Sequence, residues 1–124
     1  MKTPHDPRHI HRQKLVQELF QYDFHEKQPV SDTIHAIMDQ QNLVDSYITR
    51  AAPEFPIDKI NKVDLAILRL AVYELLIDAK EPAHVIIDEA IELAKEFSGD
   101  TSPAFVNGAL GKIATYEKPS NIQK

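Results

Sequence analysis

Lys2, Arg8, Arg12 and Lys14 crowd the first sixteen residues with only Asp6 against them, and His5, His9 and His11 lie between. Arg8 and Arg12 are four apart, the spacing that places two side chains on one helical face. Such a pair can bridge phosphates of single-stranded RNA, with Lys2 and His9 assisting; the unstacked bases of such RNA also need aromatic platforms. Phe20 and Phe105 are the candidate rings. The plain alternatives are a solvated terminal helix with ordinary surface charge, and phenylalanines packed into a core. The residues alone leave both open.

Enzymatic chemistry finds no foothold. The histidines His5, His9, His11, His25, His35 and His84 form no H-E-x-x-H or comparable ligand spacing, and His9 and His11, two apart, diverge on a helix. Acidic pairs such as Asp88-Glu89 have no convergent partner. Three glycines provide no phosphate-cradling loop, and without cysteine there is neither a disulfide framework nor a thiolate metal site. Neither catalysis, a metal nor a cofactor is expected. The net charge of −5 argues against coating nucleic acid indiscriminately. A basic arm on an acidic body suggests one focused anionic contact, with a different partner elsewhere. No apolar run reaches the ~18 residues of a membrane span, and the N-terminus lacks a secretory core. A cytoplasmic protein with no membrane partner is expected.

The elements that must position these groups read as helices throughout. At 124 residues the chain is one domain's length, and its 43% hydrophobic content is too high for disorder. Asp6-Pro7 is a cap-plus-proline start for a helix to about Phe24, with Leu15, Val16, Leu19 and Phe20 on one face. After a polar connection, 25–30, a second helix is expected from Ser31 or Asp32 to Ala51, ended by Pro53 and Pro56. A short turn over Ile57–Ile60 follows. Asn61 or Asp64 opens a third helix to about Ala79, apolar nearly all round and therefore central. Pro82 precedes a fourth, Ala83 to Phe97, with Ile86, Ile87, Ala90, Ile91, Ala94 and Phe97 inward and Gly99 as a left-handed stop. Ser102-Pro103 repeats the capped start of a last helix to about Thr115. The pattern predicts an all-α, compact single-domain bundle of five to seven helices over residues 1–116, with a flexible tail at 117–124.

Polar residues inside apolar segments add constraints. Arg69, between Leu68 and Leu70, must either snorkel to water or pair with a carboxylate, and Glu89 or Glu92 on the next helix are the expected partners. Gly108 is expected to permit a close helix contact and Asn107 to tie a loop.

The words V-Q-E-L-F (16–20), A-I-L-R-L-A-V-Y-E-L-L (66–76), V-I-I-D-E-A-I-E-L-A-K-E-F (85–97) after Pro82, and F-V-N-G (105–108) occur in this order on predicted helices. Together they resemble the NusB family of bacterial transcription antitermination factors over nearly the whole chain. The resemblance implies a helical bundle that binds the boxA RNA of ribosomal RNA operons. Its partner there is NusE, a small-subunit ribosomal protein, and the pair serves the antitermination complex of RNA polymerase; some relatives form homodimers. It implies RNA contacts at Lys2, Arg8, His9, Arg12, Phe20 and Phe105, and a NusE-facing surface at Phe20, Asp58 and Asp64; capping by Asp64 is the plainer role for that residue. Departures thin the RNA side. Arg8-His9-Ile10-His11-Arg12 stands where an arginine cluster is usual, Phe20 replaces a tyrosine, Asp88 an asparagine, Gly111 an aspartate, and Ala104 a lysine. Two other readings follow: a protein-binding helical module with weak or lost RNA binding, and an RNA-recognition domain like those joined to ribosomal RNA cytosine methyltransferases.

Overall fold

The computed structural model describes residues 6–24 and 29–117. Six α-helices make up the described fold: α1 (Pro7–Tyr22), α2 (Asp32–Asp39), α3 (Gln41–Ala51), α4 (Lys62–Tyr73), α5 (Ala83–Phe97) and α6 (Ser102–Tyr116). A 3-10 turn, Ile57–Lys59, precedes α4, and a π-helical turn, Glu74–Asp78, follows it. Among the described residues there is no strand, and no helix is long and apolar enough to cross a membrane. The expected tail lies outside the described residues beyond Glu117, whose carboxylate accepts from Arg50.

The central position of α4 follows from its composition. Every residue from Asp64 to Val72 is buried, and α4 packs against α1, α3, α5 and α6. A helix can be surrounded in this way when it is apolar nearly all round and its buried charges, here Asp64 and Arg69, find partners inside. The α5 side contributes Ile86, Ala90, Leu93 and Ala94 to the core, with Ile87, Ile91 and Phe97 as partly buried flanks.

Three local details depart from the sequence reading, and a fourth decides between two alternatives it left open. The second helix is two: Gln40 (φ −106°, ψ 19°) breaks it between α2 and α3. Asn61, not Asp64, caps α4, its side chain accepting from the amides of Val63 and Asp64. Gly99 is not left-handed; α5 stops at extended Ser98 (φ −127°, ψ −171°). Gly108 makes no close approach, since nothing would lie within 4 Å of an added Cβ, and Asn107-Gly108 is exposed.

Arg69 is buried as expected, but its partners are not on α5. Its Nε and Nη2 donate to Asp45 on α3 at 3.0 and 2.9 Å, and Nη1 lies 3.4 Å from Asp23 at the end of α1. Glu89, one of the two partners expected from sequence, is engaged by His9 and Arg12 of α1. Lys62 completes the cluster, 2.8 Å from Asp23. Burial works against the Arg69 charge, yet the bonds to Asp45 and then the field of Asp23 outweigh it and raise its pKa.

The left-handed residue of the described chain is Ala79 (φ 51°, ψ 38°), which closes the π turn by donating its amide to the Glu74 carbonyl at 2.9 Å. A Cβ in this region is strained by about 1–2 kcal/mol. Ala79→Gly is therefore expected to raise unfolding free energy by about 0.5–1 kcal/mol, read as a higher denaturant midpoint at unchanged slope.

Candidate nucleic-acid interface

Helix α1 is where the basic arm and the bundle meet, and its first turns divide the arm in two. Asp6 caps it, accepting from the Arg8 amide at 2.9 Å. With about 100° per residue, His9, Arg12, Leu15, Val16 and Leu19 turn inward and are buried. Arg8, Ile10, His11 and Lys14 remain exposed.

The inward pair enters an acidic seam. His9 Nδ1 is 2.7 Å from Glu89 Oε1, and Nε2 is 2.8 Å from Glu96 Oε2. Burial disfavours the imidazolium, but hydrogen bonds to Glu89 and Glu96 and their charge outweigh it, and the His9 pKa is raised above its ordinary 6.5. Arg12 grips Glu74, at the head of the π turn, through Nε at 2.9 Å and Nη2 at 2.7 Å; its Nη1 lies 3.7 Å from Glu89. The bidentate bond to Glu74 is the main reason its pKa is raised. Both residues were nominated for phosphate contact, and both are engaged inside the protein. Neither reaches an external phosphate without giving up these pairs.

Arg8 differs. Its side chain is 68% exposed, and its contacts to Asp6 and Glu81 are long, at 3.7 and 3.8 Å. Such a pair in water contributes little, so the guanidinium is available. It borders a cleft of about 600 Å³ between α1, α2 and the π turn. Arg8, His11 and Lys80 line it together with Asp32, Asp78 and Glu81, so the cleft is mixed in sign and no dedicated anion seat. Lys2 lies outside the described residues.

The two nominated rings sit apart from the arm. Phe20 is half-buried and meets exposed Phe24 edge-to-face at 5.0 Å. It is twelve residues from Arg8, about 18 Å along the axis and about 120° around it, so the two do not form one cluster. Phe105 is half-buried and pairs edge-to-face with Phe55 at 5.2 Å. These rings border a cleft of about 280 Å³ shared with Lys59, Asn61, Asp64 and Thr101. Phe55, 48% exposed, and Lys59 were missed from sequence. The signal for Phe55 was its setting, Pro53-Glu54-Phe55-Pro56, since a ring between prolines sits on a corner that must run over the surface.

Of the acids assigned to a partner surface, Asp58 is exposed on the 3-10 turn. Asp64 is buried and accepts from Ser98 Oγ at 2.6 Å and Ser102 Oγ at 2.8 Å. It ties the start of α4 to the end of α5 and the start of α6. That use of Ser102 replaces the capping role its place before Pro103 suggested; Thr101 is the cap residue, with no side-chain bond.

The model of the NusB family matches residues 8–115. The transcription antitermination protein NusB of Geobacter sulfurreducens is 43% identical over 84 residues, which is 68% of this chain and 61% of that protein. The aligned stretch thus spans less than two thirds of that relative. Its counterpart in Bacillus pumilus is 36% identical over 118 residues, covering 82% of this chain and 90% of its own length. The solved structure of T. maritima NusB superposes with a TM-score of 0.82 at 32% identity, covering 98% of this chain and 97% of that one.

The two arginines of the arm are expected to separate in a stability measurement. Arg12→Ala leaves Glu74, whose side chain is 15% exposed, without its bidentate partner and is expected to cost about 2–3 kcal/mol. Arg8→Ala is expected to stay within about 0.5 kcal/mol of the unaltered chain. Urea unfolding of both variants checks this; equal losses would mean that Arg12 is not the buried anchor.

Proposed function

The chain belongs to the NusB family of transcription antitermination proteins, and from that we propose that it binds boxA RNA of ribosomal RNA operons together with NusE. The pair would act within the antitermination complex of RNA polymerase. The observation that carries the RNA reading is exposed Phe55 stacked edge-to-face on half-buried Phe105, beside Lys59, a ring platform next to a cation of the kind single-stranded RNA requires. Arg8 and Lys14, which face outward from α1, add a second cationic stretch. NusE offers a basic surface to which exposed Asp58 is complementary, and opposite charge speeds encounter; Phe20 with Phe24 gives that contact an apolar part. The mechanism is one of positioning: the rings and cations hold RNA, NusE completes the surface, and no bond is made or broken.

One observation favours a second reading. With His9 and Arg12 engaged internally, the arm presents fewer cations than its sequence suggests. A module that binds NusE while holding RNA only weakly fits that count.

A titration of labelled boxA RNA, with and without NusE, decides between them. RNA of the boxA sequence is expected to bind more tightly than a scrambled RNA of equal length, with NusE raising the affinity; equal binding of both RNAs would refute the first reading. Arg8→Ala is expected to reduce the slope of log affinity against log salt by about one. Phe55→Ala is expected to weaken binding by about 1–3 kcal/mol with an unchanged circular dichroism spectrum.

A further inference from the structure

A neutral imidazole carries one N–H and one lone pair, so it can donate to one carboxylate at most. His9 touches two, Glu89 at 2.7 Å and Glu96 at 2.8 Å, one at each ring nitrogen. Only the imidazolium satisfies both. In the neutral ring one nitrogen would turn its lone pair on a carboxylate oxygen at hydrogen-bond distance, which is repulsive. The partners differ in what they can do about this. Glu89, with a side chain 11% exposed, is held by Arg12 as well, whereas Glu96 is 36% exposed and can turn to water.

The groups around the ring sharpen the effect. From α1 they are Arg12 and Gln13, whose amide donates to Glu96 at 3.0 Å; from α5, Glu89 and Glu96; from the π turn, Glu74, with Glu81 beyond it. Among Arg12, His9, Glu74, Glu89 and Glu96, a charged His9 gives two cations against three anions. A neutral His9 leaves Arg12 alone against the same three.

We propose that His9 is a pH-sensitive positioning residue that pins the first turns of α1 to α5: charged, it joins Glu89 and Glu96 across the seam; neutral, it releases Glu96 and those turns loosen. The direction follows from linkage. The folded pKa lies above the unfolded value, near 6.5, so the contribution of His9 is complete below about pH 6.5 and is lost as pH rises through the folded value. Arg8, His11 and Lys14 ride on the same turns. Their presentation to RNA therefore weakens with rising pH, a consequence that rests on the function proposed above.

Nuclear magnetic resonance of the full chain tests the pin without RNA. The His9 ring signal is expected to titrate with a midpoint above 6.5, and a midpoint at or below that value overturns the proposal. Amide exchange in the first turns of α1, corrected for its intrinsic pH dependence and referenced to α4, is expected to accelerate roughly several-fold as pH rises from below about 6.5 through the measured His9 midpoint. In His9→Gln this acceleration should vanish; an identical profile in the variant overturns the pin. Glu96→Gln, altered at a partly exposed site, is the second variant, and it should lower the His9 midpoint; an unmoved midpoint overturns the pairing. Labelled boxA RNA titrated over the same range reads the consequence. Affinity that falls across the His9 midpoint in the unaltered chain but not in His9→Gln supports both pin and coupling. If exchange follows the midpoint while RNA fails to bind at every pH, the pin stands and the RNA reading falls.

Discussion

Removing an ion from water into a protein interior costs several kcal/mol unless a partner of opposite charge and good geometry meets it there, and α1 meets that condition at both of its ends. At the first turns His9 and Arg12 enter a seam lined by Glu74, Glu89 and Glu96. At the last turn Asp23 reaches Arg69 and Lys62, with Asp45 sharing the Arg69 guanidinium. The signs oppose the helix dipole, which favours anions at an N-terminus and cations at a C-terminus. Partners on other elements, and not α1 itself, hold those charges. A slip of α1 by one turn would leave buried ions unpaired, so the clusters specify register as well as attachment.

The π turn after α4 belongs to the same arrangement. Its five residues carry Glu74 to the flank of α1, where Arg12 takes both carboxylate oxygens, and the turn is closed by Ala79 in the left-handed region. Local backbone strain thus closes the turn that carries the bidentate partner of Arg12. The outcome for function is a division of labour along one helix. Inward cations secure the scaffold, while Arg8, His11 and Lys14 remain in water where a phosphate can reach them.

Much of the fold was legible because it follows from periodicity and punctuation. The cap at Asp6-Pro7, the corner between Pro53 and Pro56, and the all-round apolar run of α4 each have a single physical solution. Misreadings cluster where two solutions compete. Arg69 needed a carboxylate, but sequence spacing favoured the neighbouring helix over Asp45 and Asp23, which are 24 and 46 residues away. Gly99 offered a left-handed stop that an extended Ser98 made unnecessary. Asp64 looked like a cap or a partner contact and is instead a buried acceptor for two serine hydroxyls.

The sequence alone determined the all-helical class, the central helix, the family resemblance and the want of any catalytic spacing, because hydrophobic period and residue type act locally. The tertiary structure alone decided which charges are free. Arg8 and Arg12 share a type and a helix, and Coulomb partners brought from 62 and 77 residues further along the chain make one a buried anchor. Exposure separates them, and exposure is a property of the packed bundle.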